Sequence, residues 1–178
     1  MITARIPERH LIHTIVYDFD GVFTDNNVYV DQKGIESVKC SRSDSLGINL
    51  LNHFLKLKKL SINQFILSTE YNEVVLKRAE KLKIKCFHGI ENKLEFIKTY
   101  LKTNFNGEIS NSEGIIYLGN DLNDLSIMKF CGFSIAPIDA HPVIKKNCDL
   151  VLNKCGGSGF IRQFIEEFIE INEFSTDE

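Results

Sequence analysis

Short apolar runs recur along the chain at "LIHTIVY" (11–17), "QFILS" (64–68), "IKCF" (84–87), "GIIYLG" (114–119), "FSIA" (133–136) and "DLVL" (149–152). Between them, apolar positions spaced three and four apart predict helices over about 45–59, 71–83, 91–103, 122–131, 140–147 and 159–172. Strands alternating with helices predict an α/β fold, a doubly wound parallel sheet with helices on both faces. The strand runs are nearly continuous rather than alternating, as befits strands covered on both sides. One segment breaks the rhythm. "VFTDNNVYVDQKGIESVKC" (22–40) has a period of two around the turn signal "DQKG" and predicts a β-hairpin inserted after the first strand and projecting from the sheet. Repeats, low-complexity stretches and Pro/Gly-rich linkers are absent, so residues 1–178 are expected to form one domain, with the acidic end (about 173–178) frayed. The hairpin is too small to serve as a lid domain.

In an open parallel sheet, ligands bind beyond the carboxyl ends of the strands. The strand-end residues are therefore the place to look for chemistry. "IVYDFDGVFTD" leaves the first strand with Asp18 and Asp20, two like charges whose crowding costs free energy unless a cation or hydrogen bonds offset it. Ser68, Thr69 and Glu70 follow the second run, a loop toward Lys93 follows the third, and Asn120-Asp121-Leu122-Asn123-Asp124 follows the fourth. These hard oxygen ligands suit Mg²⁺, which takes few protein ligands, several waters and a phosphate oxygen to complete its shell. Ser68 can hydrogen-bond phosphate oxygens and Lys93 can oppose developing negative charge, which together make the parts of a phosphoryl-transfer site. Residues i and i+2 leaving a strand also allow a division of labour. Asp18 would attack phosphorus, while Asp20 protonates the leaving oxygen and later activates water.

Composition narrows the function classes. A formal net charge of −3, with lysines scattered rather than interleaved with aromatics, offers no field for nucleic acid. No stretch approaches the ~20 apolar residues of a membrane span, and the N-terminus lacks a signal-like apolar run, so neither a membrane nor a nucleic-acid partner is expected and a cytoplasmic location is. The five cysteines form no CxxC pair and are expected to be reduced thiols, mostly in the core. The five histidines share no ligand spacing; His141-Pro142 predicts a helix start.

The order "DFDGVFTD", Ser68, Lys93, "GNDLND" resembles the four motifs of the haloacid dehalogenase superfamily of phosphatases. Through "SDSLGI", "AEKLKI", "DAHP" and "GGSGFIRQF" the likeness extends over roughly residues 12 to 170 to the capless branch. That branch contains 3-deoxy-octulosonate 8-phosphate phosphatase, its nine-carbon relatives, and the phosphatase-like domain of some acylneuraminate cytidylyltransferases. The resemblance implies a Mg²⁺-dependent phosphatase of a 2-keto-3-deoxy sugar acid phosphate. It implies catalytic roles for Asp18, Asp20, Ser68 and Lys93, metal ligation by Asp18, Asp20 and Asn120, and support from Asp121 and Asp124. It also implies a homotetramer formed through the hairpin, a neighbouring subunit closing the site in place of a cap. Substrate contacts would fall to Thr69, Glu70, Lys81 and Arg162. Octulosonate-type members carry an arginine where Glu70 stands, whereas a glutamate with a lysine at Lys81 resembles members acting on nonulosonate 9-phosphates. Asn120 departs from the usual aspartate and contributes one charge fewer; asparagine also occurs there in cytidylyltransferase-attached domains with poor or absent activity.

Each position has a plainer reading beside this one. Ser68 alone is a strand-end hydroxyl and Lys93 alone a solvated helix lysine. Glu70 can serve the N-terminus of the following helix, Lys81 can be one more exposed helix lysine, and Arg162 can pair with Glu166 one turn on. Asp44, Ser43 or Ser45 can cap the helix they begin.

Overall fold

The computed structural model describes residues 5–105 and 109–171. Six parallel strands form the main sheet: β1 (Thr14–Tyr17), β4 (Asn63–Leu67), β5 (Lys85–Phe87), β6 (Ile115–Leu118), β7 (Phe133–Ala136) and β8 (Leu150–Val151), in the order β5-β4-β1-β6-β7-β8. β1 lies between β4 and β6, pairing Tyr17 with Ile66 on one side and Leu118 on the other. The chain winds outward from β1 in both directions, so the end of β1 is the switch point where a crevice opens.

Side chains alternate across the strands and give each face its own core. Ile15, Tyr17, Ile66, Leu118 and Ile135 pack beneath α1 (Arg42–Leu57), α2 (Val74–Leu82) and α6 (Phe160–Phe168). Val16, Phe65, Leu67, Tyr117 and Ala136 pack beneath α3 (Lys93–Asn104), α4 (Leu125–Phe130) and α5 (Pro142–Asn147). β1, β6 and β7 are buried at every position, the double covering that their unbroken apolar runs imply.

The hairpin is present as β2 (Thr24–Val30) and β3 (Glu36–Cys40), paired as a separate two-stranded antiparallel sheet. Asp31 Oδ1 accepts from the backbone N–H groups of Lys33 and Ile35, and Gly34 supplies φ +77° for the turn. Val28, Tyr29, Val30 and Ile35 are all more than half exposed.

Three expectations change in detail. The helix expected over 122–131 is divided into a 3₁₀ turn, Leu122–Asp124, and α4, because Asp124 turns its carboxylate back onto the N–H groups of Asn120 and Asp121. The thiols are free, but only Cys131 is buried; Cys40, Cys86 and Cys148 are half-buried and Cys155 is exposed. Asp44 does not cap its own helix. Ser41 does that, accepting from Ser43 N and Asp44 N, while the buried Asp44 carboxylate accepts from Gly159 N (3.2 Å) and Arg162 N (2.9 Å) at the start of α6. His141, by contrast, does stand at the head of α5, with Pro142 as the first helical residue. The final residues, 172–178, with the acidic tail, lie outside the described residues.

Asp44 thus joins α1 to α6 across 118 positions of sequence. Burial pushes its carboxyl up although these amides favour the charged form. Asp44→Ala leaves the first amides of α6 without an acceptor, and a loss of about 2 kcal/mol is expected in urea denaturation. An unchanged midpoint would contradict the assignment of Asp44 as the cap of α6.

Candidate active site

Backbone hydrogen bonding fixes how β1 presents its acidic end. Asp18 N donates to Leu118 O, and the N–H groups of Val22, Phe23 and Thr24 all reach Phe19 O, folding residues 19–24 into a tight turn. Gly21 takes φ +73° here, and a Cβ on it would stand 1.9 Å from Asn120 Nδ2. Only glycine lets the β6 loop approach so closely. Gly156 and Gly157 press on the same turn from the loop before α6, against Gly21 O and the Thr24 backbone.

A cavity of about 340 Å³ opens at this switch point, lined by Asp18, Asp20, Asn26, Thr69, Asn120, Asp121 and Asn123. A larger open groove, about 1480 Å³, runs between the N-terminal segment and the end of α6, but contains none of the strand-end groups. Behind the smaller cavity, Lys93 Nζ lies 2.7 Å from Asp18 Oδ1 and 2.7 Å from Asp124 Oδ1. Tyr117 Oη donates to the same Asp124 oxygen at 2.7 Å. All four residues are buried. Phe19 N also donates to Asp18 Oδ1 (2.7 Å), and no hydrogen bond from a described residue reaches Asp18 Oδ2. One carboxylate oxygen is therefore held and the other is available.

Two carboxylates share one ammonium in this layer. Burial alone would lower Lys93, but Asp18 and Asp124 outweigh it and hold the ammonium above its ordinary value. Asp18 is pushed up by burial and by the Asp124 charge, against the pull of Lys93. Asp20 is also raised, by burial first and then by the Glu70 carboxylate, while the Thr24 hydroxyl 3.4 Å away opposes the shift. A carboxyl held up in this way is suited to carry a proton to a leaving oxygen.

Asn120 Oδ1 is buried and has no hydrogen-bond partner. An orphaned acceptor beside two carboxylates at a cavity is chemistry that suits a hard divalent cation. Among the described residues, no group of three or more His, Cys, Asp and Glu is placed to hold a metal, so the third protein oxygen would be this amide.

Most strand-end residues expected at the site converge on it. Asp18, Asp20, Thr69, Asn120 and Asp121 line the cavity, while Lys93 and Asp124 lie behind it and Ser68 is buried at the end of β4. Ser68 Oγ accepts from Glu70 N at 3.0 Å, so its own hydroxyl proton is free to be donated elsewhere. Glu70 accepts from Asn72 N at 2.7 Å just before α2 and is near enough to raise Asp20. Lys81 is not brought there: it is exposed on the last turn of α2, whose end feeds the start of β5, at the amino ends of the strands and away from their carboxyl ends, where the crevice lies. Arg162 Nε pairs with Glu166 at 2.7 Å and does not line the cavity. Asn123, from the strand-end cluster after β6, lines the cavity as well, and two residues there or behind it escaped the sequence reading: Asn26 and Tyr117. Tyr117 sits in an apolar run with nothing to distinguish it from a core residue.

A parallel sheet with Asp18 and Asp20 at its switch point, Lys93 salt-bridged to the first, and an Asn-Asp loop alongside defines a class of hydrolase. The chain belongs to the haloacid dehalogenase-like hydrolases, whose family profile matches residues 2–162. A chain from Streptomyces avermitilis assigned to the same hydrolase family is 35% identical, with a TM-score of 0.85 over 98% of this chain and 95% of that one. More particularly, the chain is similar to the 3-deoxy-D-manno-octulosonate 8-phosphate phosphatase of Moraxella catarrhalis, solved with a magnesium ion, a phosphate ion and KDO. There the identity is 25% and the TM-score 0.78, over 91% and 88% of the two chains. It is also 23% identical over 161 residues to N-acylneuraminate cytidylyltransferase A of Danio rerio, covering 89% of this chain but only 35% of the relative's length. Among the described residues no helix is long and apolar enough to cross a membrane.

Proposed function

We propose that the protein is a Mg²⁺-dependent phosphatase of a 2-keto-3-deoxy sugar acid phosphate, working through an aspartyl-phosphate on Asp18. The observation that carries this reading is the pairing of a half-engaged Asp18 carboxylate, tethered by Lys93, with the orphaned Asn120 Oδ1 at one cavity. In the first step Asp18 Oδ2 attacks phosphorus, the bond to the leaving oxygen breaks, and Asp20 gives that oxygen its proton. In the second, water attacks the phosphoryl group, Asp20 takes the water's proton, and the bond between Asp18 and phosphorus breaks. Lys93 keeps Asp18 oriented, and the Ser68 hydroxyl donates to a phosphoryl oxygen. Asp18, Asp20 and Asn120 would hold Mg²⁺, which when bound neutralises charge on the phosphoryl oxygens.

The relatives support a sugar acid phosphate as substrate, and Glu70 beside Asp20 favours the nine-carbon, nonulosonate 9-phosphate class over the octulosonate one. A glutamate can accept hydrogen bonds from sugar hydroxyls, where an arginine would instead meet an anion. Lys81 and Arg162, neither of which lines this chain's cavity, are the candidates to meet the substrate carboxylate; the exposed Val28, Val30 and Ile35 of the hairpin supply apolar surface for a homotetramer. A second reading, a weakly active or inactive tetramerising module related to those of acylneuraminate cytidylyltransferases, is favoured by Asn120 alone. Phosphate release from a nonulosonate 9-phosphate and from 3-deoxy-octulosonate 8-phosphate, with Mg²⁺ and with a chelator, separates these. Metal-dependent turnover faster on the nine-carbon substrate is the expected result. Preference for the eight-carbon one overturns the Glu70 assignment, and no release from either favours the module.

A further inference from the structure

Asn26 is held at φ +62°, in the irregular stretch between Thr24 and Val28 where the hairpin ladder shifts register. Glycine takes this conformation freely, whereas other residues enter it against a steric cost. The turn is anchored to the acidic end of β1. Asn26 N and Gly21 N both donate to Thr24 Oγ1, at 3.2 and 3.1 Å, and that hydroxyl lies 3.4 Å from Asp20 Oδ1. The result sets Asn26 at the cavity shared by Asp18, Asp20 and Asn120.

Asn26 is exposed, and beside it Asn27 folds its Nδ2 back onto Asp25 O at 3.0 Å. The Asn26 carboxamide makes no hydrogen bond with any described residue. A carboxamide both donates and accepts, so it can hold a hydroxyl from either side. The rest of the cavity lining is three carboxylates, two further carboxamides and a threonine, with no cation among them. The phosphoryl group would have Mg²⁺ to neutralise it, whereas leaving-group atoms resting near Asn26 face only acidic and neutral side chains, which favours neutral hydroxyls over a second anion.

We infer that Asn26 is a specificity-determining residue, its carboxamide hydrogen-bonding a hydroxyl of the leaving group close to the ester oxygen that Asp20 protonates. This rests on the phosphatase reading. Asn26→Gly is the appropriate variant, because glycine accepts the backbone angle and removes only the side chain. Its kcat/KM is compared with that of the unchanged protein on the better of the two sugar acid phosphates and on p-nitrophenyl phosphate, whose leaving group offers no neighbouring hydroxyl. Loss of one such hydrogen bond should lower kcat/KM on the sugar phosphate by about three- to ten-fold, with the aryl phosphate changed less than about twofold and the urea midpoint equal or higher. An equal fall on both substrates, or no fall on either, overturns the inference. Absence of turnover by the unchanged protein on every substrate would sink the phosphatase reading instead. The Asn26 contact is then read by calorimetric titration of the same sugar phosphates: three- to ten-fold weaker binding by Asn26→Gly supports it, and equal affinity or no binding overturns it.

Discussion

Asp18→Asn is expected to lower phosphate release by on the order of 10⁴-fold or more, since an amide cannot form the acyl phosphate that divides the reaction into two steps. The fold should survive the change. Asn is nearly isosteric, and its single oxygen can keep the Oδ1 position, where Lys93 Nζ and Phe19 N both donate at 2.7 Å. Only the oxygen with no hydrogen bond from a described residue is replaced. A loss of activity with an unaltered urea midpoint and circular dichroism spectrum is therefore the expected pattern. Residual turnover within tenfold of the unchanged protein would show that Asp18 is not the nucleophile.

Lys93→Ala is expected to have the largest effect on stability, about 3–5 kcal/mol at neutral pH, because it strips the counterion from two buried carboxylates at once. Asp124 would retain the Tyr117 hydroxyl and two backbone amides, but Asp18 would face its charge unscreened. The pH dependence has a defined sign. Burial and Asp124 already push Asp18 up. Without Lys93 nothing of comparable strength opposes them, so the native state holds a proton that the unfolded chain releases at ordinary carboxyl values. A group raised in the native state costs stability above that range and relieves it below. The deficit of Lys93→Ala relative to the unchanged protein should then shrink as pH falls. A deficit under about 1 kcal/mol at pH 7, or one that grows in acid, would contradict the shared-ammonium arrangement.

The strand pattern was legible because burial on both faces leaves no other solution than unbroken apolar runs, and the hairpin was legible because "DQKG" sits within a period-two stretch. Asp18, Asp20, Thr69, Asn120 and Asp121 could be placed at one crevice from strand ends alone, since a parallel sheet brings those ends together whatever the loops do. Roles carried by distant partners were not legible. Asp44 reads locally as a cap for α1, and nothing near it in sequence reveals that α6 supplies its donors. Tyr117 is one more aromatic in a buried strand until Asp124 is folded against it. Asn26 looks like turn chemistry beside Asn27, and only the register shift in β2 and the bound state of the neighbouring amide separate the two. Lys81 illustrates the reverse: its resemblance to a substrate-binding lysine rests on sequence, while the end of α2 holds it away from this chain's own crevice.

The covalent step at Asp18 is the part of the mechanism most directly open to test. Rapid acid quench during turnover of the preferred sugar phosphate with Mg²⁺, followed by peptide mass analysis, should find one phosphoryl group on the peptide carrying Asp18, and none in Asp18→Asn. Steady phosphate release with that peptide unmodified at every quench time, together with a phosphoryl group elsewhere or turnover surviving in Asp18→Asn, would contradict it.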